Sequence, residues 1–267
     1  MYEELDVNER PAGPPSMLNS VWEVPRTLFE MAGLVATFPL LGSLPRGDGH
    51  PVLVLPGFLA GDESTLVLRR YLRSMGYHSL PWSLGRNTGR PEFIQKLLPE
   101  RLLGLSDELG TGISIIGQSL GGVFGRELAR LYPDRVRQVI TLGSPFAIRH
   151  SNTTMPLIRR LFEQSTGMGV EAMRELLVAM DPGVSPPVPL TAIYSKGDGV
   201  VNWRVCREAR EDHQTQNIEV FGSHCGMAFN PAIYYIIADR LSQPEDSWQK
   251  FESRWPGLCL TNIGSES

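Results

Sequence analysis

Cysteine is scarce: Cys206, Cys225 and Cys259 are the only three in 267 residues, and none lies close to another. That odd, scattered set provides neither a disulfide framework nor a zinc spacing. Runs of like charge are missing as well. The paired arginines, Arg69-Arg70 and Arg159-Arg160, stand isolated, and 25 basic against 29 acidic side chains leave a net charge of −4. Nucleic-acid binding needs a basic patch or stripe, so that class is excluded as an expectation. Long apolar runs are absent too. The longest uncharged stretch near the N-terminus, Met31 to Leu44, has 14 residues and contains Pro39. A membrane span needs about 20 mostly apolar residues. The stretch is therefore expected to pack on the domain as a core helix, with a membrane surface as the other place it can lie. The opening residues Met1-Tyr2-Glu3-Glu4-Leu5-Asp6 are acidic and lack the basic and apolar regions of a secretory signal. A reducing, cytoplasmic location is the expectation, and no repeat or low-complexity tract complicates it.

Hydrophobic residues at 42% and charged ones at 20% match ordinary globular usage, so the chain can build a sizeable core. Residues 1–16 are polar and proline-rich and read as a flexible tail. Residues 17–45 read as a helical segment interrupted near Pro25, packed on the domain or at a membrane surface. From Pro51 onward, strand and helix signals alternate. Pro51 to Leu55, residues 77–82, Ile113 to Ile116, Gln138 to Leu142, Leu190 to Tyr194 and Ile218 to Phe221 read as strands. Helical patterns run over Glu63 to Met75, Pro91 to Leu109, Leu120 to Tyr132 and Pro231 to Leu241, with a charged helix over Arg204 to Asp212. This alternation predicts an α/β fold with a mostly parallel central sheet flanked by helices. The core is expected over 46–145 and 190–243, with a C-terminal extension over 244–267. Residues 146–189 break the rhythm with helical stretches near 155–166 and 169–180. They carry Met155, Met168, Met173 and Met180 beside Leu157, Ile158, Leu161 and Phe162. An insertion of that length reads as a helical cap over a site.

The sharpest local signal is Gly117-Gln118-Ser119-Leu120-Gly121, a G-x-S-x-G between a strand and a helix. The chemistry places the serine on a tight, strained turn, and the flanking glycines keep side chains out of its way. The helix that follows favours negative charge at its N-terminus. Ser119 is therefore the candidate nucleophile.

A serine nucleophile needs a base. His50, His78, His150 and His213 stand at strand starts, in the insertion or at the end of the charged helix. His224 follows the last strand in Phe221-Gly222-Ser223-His224-Cys225-Gly226, where a Gly-flanked loop reaches the top of the sheet. The acid is expected between the two in chain order. Asp198 directly follows a strand in Ser195-Lys196-Gly197-Asp198-Gly199 and outranks Asp181 and Asp212. It is also good turn chemistry, and both readings hold at once. An oxyanion would be held by the backbone N–H of Leu120 and by one from the loop Pro56-Gly57-Phe58-Leu59. Phe58 is the choice there, with Leu59 as competitor. Leu59 and Phe146 are expected to line the substrate site with the methionine-rich cap.

These motifs resemble the α/β-hydrolase superfamily in its lipase and carboxylesterase branch, over residues 50 to 242. Leu142-Gly143-Ser144-Pro145 resembles a turn of lipase-like members. Pro56-Gly57-Phe58 stands where many relatives have His-Gly, and a backbone donor survives that change. In this superfamily the segment after the Leu142 strand commonly carries a lid, which agrees with the cap. The resemblance and the residues together imply a serine hydrolase that cleaves carboxylic esters of apolar, medium-to-long acyl compounds through an acyl-enzyme. No cofactor and no metal are required. The expected partner is a small ester or lipid, with peripheral membrane association through 17–44. An acyltransferase with the same triad, or a non-catalytic binding protein with this fold, are the alternatives. Cys225, beside His224, has no role in this scheme.

Overall fold

β1 (Pro51–Leu55) is buried at every position, and its side chains divide between two cores with a period of two. Val52 and Val54 join Leu34, Tyr71, Leu72, Ile140, Ile193 and Ile236, while Leu53 and Leu55 join Leu98, Leu102, Phe124, Leu128 and Val139. A strand covered on both faces cannot alternate apolar with polar, which is why the run Val-Leu-Val-Leu is unbroken. Truncating Leu53, fully buried, to alanine costs about 2–5 kcal/mol by the usual cavity penalty.

The computed structural model describes residues 13–147, 153–168 and 184–252. Five further strands follow β1: β2 (His78–Pro81), β3 (Ile113–Gln118), β4 (Val136–Leu142), β5 (Leu190–Tyr194) and β6 (Thr215–Glu219). They form a six-stranded sheet in the order β2-β1-β3-β4-β5-β6, and every pairing is parallel. α1 (Met17–Val21) and α2 (Glu23–Leu41) precede the sheet; α3 (Leu66–Ser74), α4 (Leu98–Leu109), α5 (Leu120–Leu131), α6 (Pro156–Thr166) and α7 (Pro231–Leu241) complete the helices described. α2, α3 and α7 cover one face of the sheet, and α4 and α5 the other. The chain steps outward from β1 to β2, then returns to β3 on the opposite side of β1. That reversal separates the loops leaving the carboxyl ends of β1 and β3, and it opens a crevice there.

Several elements differ from their sequence signals. Arg204 to Asp212 is not a helix: a short 3-10 turn, Trp203–Cys206, gives way to irregular chain. Side chains satisfy the backbone there in place of helical bonds. The Asn217 side chain holds the N–H and C=O of Glu208, and Asp212 takes the N–H of Gln214. β6 begins at Thr215, three residues before its hydrophobic part, and pairs Thr215 with Leu190. Its polar start is buried but partnered, since Gln216 binds both the N–H and the C=O of Phe251. The break in the N-terminal helical segment falls at Trp22, not at Pro25. Pro25 lies in the first turn of α2, where a missing N–H removes no helical bond.

α2 also packs differently from the core helix expected. Only Glu23, Glu30, Leu34 and Leu41 are buried along its 19 residues. By length and composition it is the one described helix apolar enough to cross a membrane. Yet its charged residues Glu23, Arg26 and Glu30 all turn inward onto the domain.

Candidate active site

β3 ends and α5 begins at Ser119, whose φ of 51° and ψ of −123° lie where side-chain-bearing residues are strained. Such a conformation costs about 1–3 kcal/mol and persists only where its surroundings impose it. Here the Ser119 N–H donates to the Leu142 carbonyl of β4 at 2.8 Å. The flanking glycines are required by contact. A Cβ on Gly121 would sit 2.5 Å from the Leu55 carbonyl oxygen, and one on Gly117 would overlap the backbone of Gly122. The turn thus fits between β1 and β4 only without those side chains.

Asp198 sits on the loop after β5 and is 3% exposed. Its Oδ1 accepts the N–H groups of Val200 and Val201 at 2.8 and 2.7 Å. Its Oδ2 accepts the Nδ1–H of His224 at 2.6 Å. His224 follows β6 and is 6% exposed. A carboxylate only accepts, so the proton of the neutral imidazole lies on Nδ1 and Nε2 is left as a base. Burial opposes protonation of this ring, but the charge and hydrogen bond of Asp198, helped by the charge of Glu23, raise its pKa above 6.5. The serine turn adjoins the pair through its neighbours. The Gln118 side chain donates to the His224 carbonyl at 3.2 Å, and Gly143, next to Leu142, lies against His224 Nδ1.

On the loop after β1, the backbone N–H groups of Phe58 and Leu59 stand in different surroundings. Leu59 adopts a left-handed φ of 61°, and its N–H already donates to the Asn87 carbonyl at 2.7 Å. Phe58 N–H has no acceptor among the described residues, and Leu120 N–H opens α5 where no helical acceptor exists. Gly57 brings the loop against the serine, since a Cβ there would stand 3.4 Å from the Ser119 Cβ. Asn87, missed by the sequence reading, holds this loop in place. It is fully buried, donates from Nδ2 to the Pro56 carbonyl at 2.9 Å and donates its backbone N–H to the Ala60 carbonyl at 2.8 Å. The only signal in the chain is the turn chemistry of Asn87-Thr88-Gly89.

The described part of the inserted segment lies across these loops. The Phe162 ring of α6 packs on that of Phe58 with centroids 5.1 Å apart, and Ser165 donates to the Thr88 carbonyl. Thr154 forms an antiparallel bridge with Val201, on the Asp198 loop. Phe146 is placed in the core, with the Arg126 guanidinium 5.0 Å above its ring, and Leu59 is half-buried beside the serine loop. The 169–180 helix, Met173, Met180, Asp181 and His150 lie outside the described residues.

A second Ser-His-Asp constellation exists at the opposite end of the sheet and is chemically different. His50 bonds Asp48 through Nδ1 at 2.5 Å and Ser114 through Nε2 at 3.0 Å. Ser114 is fully buried in β3, so no carbonyl carbon can approach it. Burial lowers the pKa of His50, the reverse of His224. Among the described residues no group of three or more His, Cys, Asp or Glu is placed to hold a metal ion.

No protein-family model matches the chain, and no curated protein matches it in sequence. Solved structures do. A monoacylglycerol lipase from Paleococcus ferrophilus superimposes with a TM-score of 0.54 at 14% identity, over 74% of this chain and 95% of the lipase. A serine hydrolase from Cycloclasticus zankles gives 0.52 at 15% identity, over 72% and 89%. An α/β-hydrolase fold protein from Nakamurella multipartita gives 0.50 at 17%, over 73% and 93%. The chain has the α/β-hydrolase fold. Within that fold Ser119, Asp198 and His224 stand at the carboxyl ends of β3, β5 and β6, beside the crevice that the strand order creates.

The α/β-hydrolase scaffold also carries two carboxylates that the sequence reading passed over. Glu23 and Glu30 of α2 reach the Asp198 and His224 loops. Glu23 accepts from Gly199 N–H and Cys225 N–H, and Glu30 from Ser223 N–H. Cys225 thereby gains a place, as the residue whose backbone is tied to α2. No local pattern marks either glutamate, because their partners lie some 176 to 202 residues away.

Proposed function

We propose that the protein is a serine hydrolase that cleaves carboxylic esters of apolar acyl compounds through an acyl-enzyme. The observation that carries this reading is the buried 2.6 Å contact between His224 Nδ1 and Asp198 Oδ2 beside the strained Ser119 turn. Ser119 Oγ attacks the ester carbonyl while His224 Nε2 takes its proton, and Asp198 stabilises the imidazolium that results. The N–H groups of Phe58 and Leu120 receive the oxyanion, each worth about 3 kcal/mol in the transition state. Collapse expels the alcohol, which collects the proton from His224, and leaves an acyl ester on Ser119. Water then adds with the same histidine as base and releases the acid. General acid–base help of this kind contributes about 10²–10⁴-fold.

The solved neighbours named as a lipase and a serine hydrolase agree with this chemistry. Phe58, Leu59 and Phe162 are apolar and stand at the loop beside Ser119, which favours a medium-to-long acyl chain. The test is a series of p-nitrophenyl esters from acetyl to palmitoyl, with added alcohols to reveal acyl transfer. The reading expects kcat/KM to peak beyond acetyl and to vanish in Ser119→Ala. A peak at acetyl removes the substrate assignment, and ester products from the added alcohols make the enzyme a transferase.

We propose also that α1 and α2 rest on a lipid surface, facing the reducing compartment that the cysteine usage favours. Met17, Leu18, Val21, Val24, Phe29 and Val35 are each at least 68% exposed. Every charged side chain of this stretch turns inward instead. A neutral apolar face suits the acyl layer where the proposed substrate dissolves.

A further inference from the structure

α2 holds the two loops that carry Asp198 and His224, and it does so with two buried carboxylates. Glu23 and Glu30 are only 5% and 7% exposed, and neither has a cationic partner among the described residues. Burying a carboxylate without a countercharge is unfavourable unless its oxygens are fully hydrogen-bonded. Every oxygen of the two has a donor, and burial still holds the Glu30 pKa above its ordinary value. Glu23 Oε1 accepts Cys225 N–H at 2.7 Å and Oε2 accepts Gly199 N–H at 2.9 Å. Glu30 Oε1 accepts Ser223 N–H at 2.9 Å and the Asn230 amide at 3.1 Å, while Oε2 takes the Ser223 hydroxyl. Arg26, between them, donates to the Gly197 carbonyl at 2.5 Å.

The bound groups are specific. Ser223 and Cys225 are the two chain neighbours of His224, and Gly197 and Gly199 are the two of Asp198. The glycines of the histidine loop belong to this arrangement, because a Cβ on Gly222 or Gly226 would overlap the Glu30 carboxylate. These two glycines leave room for the Glu30 side chain of α2. Apolar residues of similar volume would bury α2 at least as well. What they would not supply is an acceptor for four loop donors at fixed positions.

We infer that Glu23 and Glu30 are positioning residues that set the His224 imidazole against Asp198, and that the N-terminal helix is thereby part of the site's machinery. The inference builds on the proposed hydrolase reading but concerns the His224–Asp198 pair itself. Two groups around His224 bear on its protonation, Asp198 from the β5 loop and Glu23 from α2, while the Gln118 amide holds its backbone carbonyl. Removing the Glu23 charge therefore moves the imidazole titration to lower pH. Removing the Glu30 anchor frees Ser223 and loosens the Nδ1–H bond.

The experiment follows the His224 Nδ1–H resonance and imidazole titration by NMR in the full chain, beside the rate of Ser119 labelling by a fluorophosphonate. Wild type, Glu23→Gln and Glu30→Gln are compared, with thermal unfolding as the check on fold. The account expects a lower titration midpoint in Glu23→Gln, and in Glu30→Gln a broadened or lost resonance with labelling at least tenfold slower. If Glu30→Gln does not fold, Glu23→Gln and Arg26→Gln decide, both nearer the start of the helix. Folded variants with the wild-type resonance, titration and labelling rate overturn the inference. If wild type shows the resonance, loses it on substitution and yet never labels, the positioning role stands and the hydrolase reading alone falls.

Discussion

Asn87 carries Leu59: its carbonyl takes the Leu59 N–H at 2.7 Å while its side chain holds the carbonyl of Pro56. The strained loop between those two residues is the one that lies against Ser119 and leaves the Phe58 N–H without an acceptor. Replacing Asn87 with alanine strands the Pro56 carbonyl and the Gly89 N–H, the latter bonded to Asn87 Oδ1. Each buried orphan costs about 1–3 kcal/mol. Asn87→Ala is expected to lower stability by about 2–6 kcal/mol on that basis. It should lower kcat by about tenfold or more with little change in KM, as misalignment short of full loss of one oxyanion donor would. Urea unfolding and ester kinetics on the same preparation check both halves.

Activity and stability are expected to run in opposite directions with pH near neutrality. The folded pKa of His224 is raised above 6.5, so the fold binds this proton more tightly than the unfolded chain does. The stabilisation is fully present below about 6.5, and it is lost as pH rises through the folded value. Catalysis needs neutral Nε2, so kcat/KM rises over the same interval. In Asp198→Asn the acid limb should move to lower pH and kcat fall by about 10³–10⁴. A pH–rate profile beside unfolding midpoints at each pH tests the sign of both trends.

Gly121→Ala tests whether the turn is set by contact. The added methyl would lie 2.5 Å from the Leu55 carbonyl oxygen, and that oxygen belongs to a central strand with no freedom to retreat. Overpacking of this kind costs about 1–3 kcal/mol. The variant is expected to unfold earlier by that amount and to lose ester turnover, as followed by thermal melting and a single-ester assay.

The outer face of α2 can be altered without touching its inner one. Phe29 and Val35 are 77% and 76% exposed, so Phe29→Glu and Val35→Glu should change stability by less than about 0.5 kcal/mol. Both should abolish co-sedimentation with neutral phospholipid vesicles. Binding that persists in the double variant removes the lipid assignment, and a concentration-dependent mass in solution would give the face to a second copy of the chain.

The sheet was legible where burial on both faces forces apolar runs, unbroken in Pro51–Leu55 and interrupted only by Thr191 in Leu190–Tyr194. It was less so at β6, whose Thr215, Gln216 and Asn217 are buried through hydrogen bonds that no hydropathy pattern records. Ser119, Asp198 and His224 were singled out because each follows a strand and carries its own turn signal. The supports around them could not. Asn87 and Glu30 act across 31 and 193 positions, and Glu30 sits in an otherwise apolar helix that reads as packing or membrane contact. Local sequence records what a residue is suited to, and the partner that gives it a role was set by the fold.

The most direct test of the central claim is labelling with a fluorophosphonate, read by intact mass and peptide mapping. The account predicts one adduct, on Ser119, absent in Ser119→Ala and strongly slowed in His224→Ala. Folded wild-type protein that takes no adduct, or takes it on another residue, would contradict it.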